Sequence, residues 1–301
     1  MRSLLADRKR ALTASQSGSE STFTTRDTTA PARDGYHIPL RIYAPATPPA
    51  GGAPLIVFYH GGGFCLGGLE SEELNCRLFA SEVGAVVVNV DYRLAPEHPF
   101  PAAVNDAWDA LKWAAANAAS LGTDPSKGFI VGGTSAGGNL AAVTTHLARD
   151  EKLIPPVTGF ALLIPVLGPP GQEGIAPRYA DEIKSYEQNA DAPILGIKAV
   201  RMFTAAYAPP PTDPLFNVLA DPLDTSGLPP LFIQVCGQDP LRDEALVYER
   251  VVREEAGGKT RLRVYPGVPH SFWSFAPDWE KSRGFVRDTV EGVKWLLGRG
   301  E

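Results

Sequence analysis

Gly128-Phe129-Ile130-Val131-Gly132-Gly133-Thr134-Ser135-Ala136-Gly137-Gly138-Asn139-Leu140-Ala141-Ala142-Val143 passes from an apolar run through a glycine turn into a series of small residues. Gly128 to Val131 reads as a short strand buried on both faces, and Asn139 to Val143 as the opening of a helix. The turn between them, Gly133-Thr134-Ser135-Ala136-Gly137, fits Gly-x-Ser-x-Gly, in which a serine stands on a strained strand-to-helix turn with its hydroxyl presented outward. Glycines on either side let neighbouring backbones approach, and the helix that follows points the positive end of its dipole at the serine. Composition alone produces this pattern in about one chain of this length in ten. The strand before it and the helix after it are what give it weight.

The same alternation extends in both directions. Leu55 to Tyr59, Ala85 to Val90, Phe160 to Leu163 and Leu231 to Val235 are further continuous apolar runs. Between and after them, Val104, Ala107, Trp108, Leu111, Ala114, Ala115 and Ala118 share one helical face, as do Phe285, Val286, Thr289, Val290, Val293, Leu296 and Leu297. Strands alternating with helices predict an α/β fold with a mostly parallel sheet covered on both faces. Ser21 to Thr29 and Tyr36 to Ala44 flank Arg33-Asp34-Gly35 and predict an antiparallel hairpin at the start of the sheet. Residues 168–214, bounded by Pro169-Pro170-Gly171 and Pro209-Pro210-Pro211, break the alternation with polar, helical-looking sequence. A structureless loop of that length is improbable, so an inserted cap is expected there. The core is then 21–167 with 215–301, and residues 1–20 read as a loose amphipathic helix that joins the cap.

Chemistry gathers where apolar strands end. His60-Gly61-Gly62-Gly63-Phe64 closes the run Leu55 to Tyr59, and consecutive glycines leave backbone N–H groups free to face a developing oxyanion. His60, on that loop, fits a structural hydrogen-bonding role. In folds with this elbow the acid and then the base follow the serine along the chain. Only His146 and His270 follow Ser135. His146 lies on the same predicted helix, about 16 Å away at 1.5 Å per residue, which leaves His270. Among the later carboxylates, Asp239 stands just past the apolar run Leu231 to Val235, with Asp243 as the alternative. Phe64, Leu66, Phe203, Tyr207, Phe216 and Trp273 are candidates to line a pocket, although such aromatic residues also serve as core.

Composition excludes several function classes. Lys plus Arg number 28 against 34 Asp plus Glu, a net charge of −6 without a basic patch, so no nucleic-acid partner is expected. The three cysteines, Cys65, Cys76 and Cys236, have neither disulfide-framework nor zinc-ligand spacing, and no cofactor or metal is expected. Residues 1–7 reach charge too early for a signal peptide, and no uncharged run is long enough to span a bilayer, so a cytoplasmic protein is expected.

With these residues in view, the chain resembles the hormone-sensitive-lipase-like esterases of the α/β-hydrolase superfamily, which carry an HGGG box. The resemblance rests on His60 to Gly63, Asp91-Tyr92-Arg93-Leu94-Ala95-Pro96-Glu97, the turn at Ser135, Asp239-Pro240-Leu241-Arg242-Asp243-Glu244 and Gly267-Val268-Pro269-His270. It covers nearly the whole chain and is similar to fungal members, some of which cleave acetyl esters in polyketide pathways. The resemblance implies an α/β-hydrolase fold with a helical cap and a serine carboxylic-ester hydrolase for short or medium acyl esters. Ser135 is then the nucleophile, His270 the base and Asp239 the acid, with backbone N–H groups of Gly62, Gly63 and Ala136 as the oxyanion hole. It also implies that the Tyr92 to Glu97 box braces the oxyanion loop, and that the last strand and helix offer a homodimer edge. Thr134 stands where many members have Asp, and Ser271 where Gly is commoner. Lactonase, amidase or elimination chemistry on the same groups, or a receptor without catalysis, are the alternatives; a receptor of this kind lacks the histidine, which here is present.

Overall fold

Strands buried on both faces can satisfy their backbone groups only against other strands, so the apolar runs must join one sheet. The computed structural model describes residues 22–299. Its strands are β1 (Phe23–Pro31), β2 (His37–Pro45), β3 (Leu55–Tyr59), β4 (Val86–Val90), β5 (Phe129–Thr134), β6 (Gly159–Leu163), β7 (Leu231–Gln238) and β8 (Thr260–Pro269). They form a single eight-stranded sheet in the order β1-β2-β4-β3-β5-β6-β7-β8. β1 and β2 make the expected antiparallel hairpin, β2 also runs antiparallel to β4, and every pair from β4 to β8 is parallel. The apolar runs underestimate some strands. β5 continues through Gly132 and Gly133, which pair with β3 and β6, and β7 and β8 continue through polar and turn-forming residues.

Period-two alternation sends each strand's side chains to two cores. Leu55, Val57 and Tyr59 enter one cluster with Phe129, Val131, Phe160, Leu162, Leu231 and Ile233. Ile56, Phe58, Ile130, Ala161 and Phe232 enter the other. Helices α2 (Ala102–Ala116), α3 (Ala136–Asp150) and α7 (Arg242–Arg250) supply residues to the first cluster. Helix α1 (Glu73–Leu78) with the π-helical turn Phe79–Val83, the short helix α8 (Phe272–Phe275) and helix α9 (Glu280–Leu296) supply the second.

The inserted segment contains short helices α4 (Pro177–Ala180) and α5 (Ser185–Gln188) and the longer α6 (Ile197–Tyr207). Its composition reads as polar, yet Ile175, Tyr179, Ile183, Tyr186, Leu195, Val200 and Tyr207 are buried in the first cluster. The inserted segment is therefore continuous with the first cluster. The expected helix within residues 1–20 lies outside the described residues. Among the described residues, no helix is long and apolar enough to cross a membrane.

Candidate active site

Ser135 follows the last residue of β5 and precedes the first turn of α3, with φ 56° and ψ −114°. For a non-glycine residue this is strained backbone, of the kind that surrounding structure must enforce. The enforcement is visible: the Ser135 N–H donates to the Leu163 carbonyl at 2.8 Å, and its carbonyl accepts from Asn139 and Val166, each at 3.1 Å. The flanking glycines are steric necessities. A Cβ on Gly133 would stand 2.2 Å from the Gly137 carbonyl oxygen, and one on Gly137 would stand 2.1 Å from that of Tyr59.

A register shift brings the other two groups together. Cys236 pairs with Tyr265, but Gln238 pairs with Pro269, so β8 carries two extra residues before the strands meet again. Asp239 and His270 are the next residues on each strand and leave the sheet side by side. His270 Nδ1 donates to Asp239 Oδ2 at 2.6 Å, since a carboxylate can only accept. Nε2 is then an acceptor, 3.0 Å from Ser135 Oγ. All three side chains are more than nine-tenths buried. Asp239 Oδ1 accepts the Leu241 N–H at 3.0 Å, which fixes the carboxylate plane. Ser271, after the histidine, takes the left-handed conformation at φ 55°, which glycine adopts without strain.

The other candidates have different partners. Asp243 accepts the N–H groups of Lys184 and Ser185 and the Arg242 guanidinium, facing the cap. His146 Nε2 lies 2.8 Å from the Tyr248 hydroxyl, and burial pushes its imidazole down to about 4. His60 Nδ1 donates to the Gly61 carbonyl at 2.8 Å, and its ring stacks on Tyr92 at 4.2 Å.

The glycine loop after β3 is braced from below. The Tyr92 hydroxyl donates to the His60 carbonyl at 2.7 Å, and burial pushes that phenol far up, keeping it a donor. The Gly62 carbonyl accepts from Cys65 and Leu66, and the Ala95 N–H donates to Phe64. Gly62 and Gly63 have φ of 127° and 59°. A Cβ on Gly62 would stand 2.1 Å from the Leu66 carbonyl oxygen. Ala136, the third candidate donor, is fully buried at the first position of α3.

The pocket candidates divide. Phe64 stacks on Tyr207 at 4.0 Å, and Phe216 meets both rings edge-on, so these three knit the cap to the loop as core. Trp273 stacks on Phe285 at 3.7 Å in the cluster on the other face of the sheet. Leu66, half-buried, packs against the first cluster. Phe203 of α6 is the candidate that touches the glycine loop from above: a Cβ on Gly63 would fall 2.5 Å from its ring.

Sequence reasoning missed the buried carboxylates behind the site. Glu72 Oε2 accepts from Thr134 Oγ1 at 3.0 Å and from Asn75, which gives the residue before Ser135 its partner. Glu244 accepts the Leu167 N–H at 2.8 Å and the Tyr186 hydroxyl at 2.7 Å, and burial holds its carboxyl well above the usual range. Glu72 carried no signal of burial, because it stands between Ser71 and Glu73, and Glu244 stood out only as the end of the motif that begins at Asp239. Among the described residues no cluster of His, Cys, Asp and Glu could hold a metal ion.

A family model described as alpha/beta hydrolase fold matches residues 56–274. The carboxylesterase NlhH of Mycobacterium tuberculosis is 41% identical over 245 residues, covering 79% of this chain and 72% of that protein. The versiconal hemiacetal acetate esterase of Dothistroma septosporum is 34% identical over 251 residues, covering 83% and 75%. Among solved structures, vibralactone cyclase superposes with a TM-score of 0.90 at 37% identity, covering 97% of this chain and 85% of its own.

Proposed function

We propose, from the premise that this chain belongs to the α/β-hydrolase family and is a carboxylic ester hydrolase, that Ser135, His270 and Asp239 carry its chemistry. The observation that supports this reading is the unbroken chain of hydrogen bonds from Ser135 Oγ through both ring nitrogens of His270 to Asp239. Ser135 Oγ attacks the ester carbonyl carbon while His270 Nε2 takes its proton. Asp239 holds the ring in the tautomer that leaves Nε2 free and stabilises the imidazolium. The N–H groups of Gly62, Gly63 and Ala136 receive the oxyanion. Collapse expels the alcohol, which takes the proton from His270. Water activated by the same nitrogen then releases the acid and restores Ser135.

Short and medium acyl esters are the expected substrates, because the Phe203 ring against Gly63 narrows the space above the glycine loop. The acetate ester in the name of the Dothistroma relative supports the short end of that range. The similarity to a cyclase supports a second reading, in which a hydroxyl of the substrate rather than water accepts the acyl group. The end strand β8 presents Val264, with Phe275 and Trp279 exposed beyond it, and we assign this edge to a homodimer contact.

Ser135→Ala tests the central assignment. Activity on a short acyl ester is expected to fall by at least 10³-fold, and a fluorophosphonate that labels the parent one-to-one should leave the variant unlabelled. Activity within tenfold of the parent, or labelling at another residue, would overturn it.

A further inference from the structure

The cap segment 184–189 is hydrogen-bonded to the loop that carries Asp239. The Ser185 hydroxyl donates to the Pro240 carbonyl at 2.6 Å and accepts the Asp243 N–H at 3.1 Å. The Asn189 side-chain amide donates to the Asp239 carbonyl at 3.0 Å. Asp243 Oδ2 returns the contact, accepting the Lys184 and Ser185 N–H groups at 2.9 and 2.7 Å. Glu244, the next residue, holds Tyr186 of the cap and the N–H of Leu167, whose neighbour Val166 donates to the Ser135 carbonyl. The Asp239 carbonyl, which also accepts the Arg242 N–H at 3.1 Å, and the carbonyl of the next residue, Pro240, are thus both held by residues 185–189. The bond they serve, 2.6 Å from Asp239 to His270, is shorter than the 3.0 Å from His270 to Ser135, as expected of a hydrogen bond to a carboxylate.

We propose that Ser185 and Asn189 are positioning residues for the acid: by fixing the Pro240 and Asp239 carbonyls, they hold the Asp239 carboxylate against His270. This rests on the assignment of Asp239 as the acid. The cap is then two parts with different duties. Residues 184–189 belong mechanically to the triad, and α6 with Phe203 faces the substrate. Ser185 is fully buried and its hydroxyl serves two partners, so Ser185→Ala removes the tie with little change of volume.

The test is a double-mutant cycle. Ser185→Ala should lower kcat on a small activated ester about tenfold, with KM changed less than twofold. In an Asp239→Asn background, where there is no carboxylate to position, the same substitution should change kcat less than twofold. Asn189→Ala, at a half-buried position that tolerates truncation, should repeat both results and keeps the test intact if Ser185→Ala does not fold. Equal losses in both backgrounds would mean that the ties only stabilise the cap, and would overturn the proposal. So would a rise in KM at constant kcat, or no effect in the parent. If Asp239→Asn alone stayed within tenfold of the parent, the acid assignment itself would fail, and the proposal with it.

Discussion

Two aspartates four residues apart, Asp239 and Asp243, show how far neighbours decide what a carboxylate does. Asp239 meets an imidazole, whereas Asp243 meets backbone N–H groups of the cap and the Arg242 guanidinium. Asp239→Asn is expected to lower kcat by about 10⁴-fold, because an amide favours the wrong tautomer and cannot stabilise the imidazolium. Asp243→Asn should cost far less, and steady-state kinetics showing the reverse order would refute the assignment. A third aspartate reports on stability. Burial, and then Glu70, push Asp91 up to about 6, Arg41 opposes the shift, and His60 Nε2 lies 3.8 Å away. Its folded value is above the ordinary 3.8, so the fold favours the protonated form. That contribution is complete below pH 4 and is lost as pH rises through 6. Asp91→Asn should therefore raise Tm at pH 8 and leave it unchanged at pH 4. Thermal unfolding at the two pH values checks this; a gain equal at both would show that the charge is irrelevant.

Between elements, small residues decide how closely surfaces meet. Helix α9 lies on β7 through Gly292, where a Cβ would fall 2.3–2.4 Å from three carbons of the buried Phe232 ring. Gly292→Ala improves helix propensity yet overpacks this contact, so a net destabilisation of about 1–3 kcal/mol is expected in denaturant melts. The folded variant should keep its specific activity, and a more stable variant would show that the contact yields. The same argument explains why a helical stripe was legible in Phe285 to Leu297 while the partner of its glycine was not. Periodicity states which face is buried, and only the packed structure states against what. Likewise the apolar runs located the strands, but their polar ends became strand by pairing, at Gly132 and Gly133 and at Gln238.

At the scale of the whole molecule, the inserted segment meets the glycine loop where the Phe203 ring lies over Gly63. The insert was legible as an interruption bounded by prolines, but its polar look concealed the buried residues that fuse it to the first cluster. Phe203→Ala should enlarge the space above Gly63 and raise kcat/KM for hexanoyl over acetyl esters by about tenfold, the worth of one or two methylenes in an apolar pocket. An unchanged ratio across a chain-length series would place the acyl group elsewhere.

By itself, the sequence determined the α/β alternation, the serine turn, the glycine loop and the three groups at strand ends. Each is a local demand: an apolar run must be buried, and a serine at a tight turn needs glycines that let chains pass within van der Waals distance. The tertiary structure alone decided how Asp239 and His270 come into contact, which aromatic rings are core, and how residues 184–189 are tied to the Asp239 loop. Those depend on register and on contacts between residues far apart in the chain. Two extra residues in β8, before Gln238 meets Pro269, set Asp239 beside His270, and no local pattern of either strand contains that pairing.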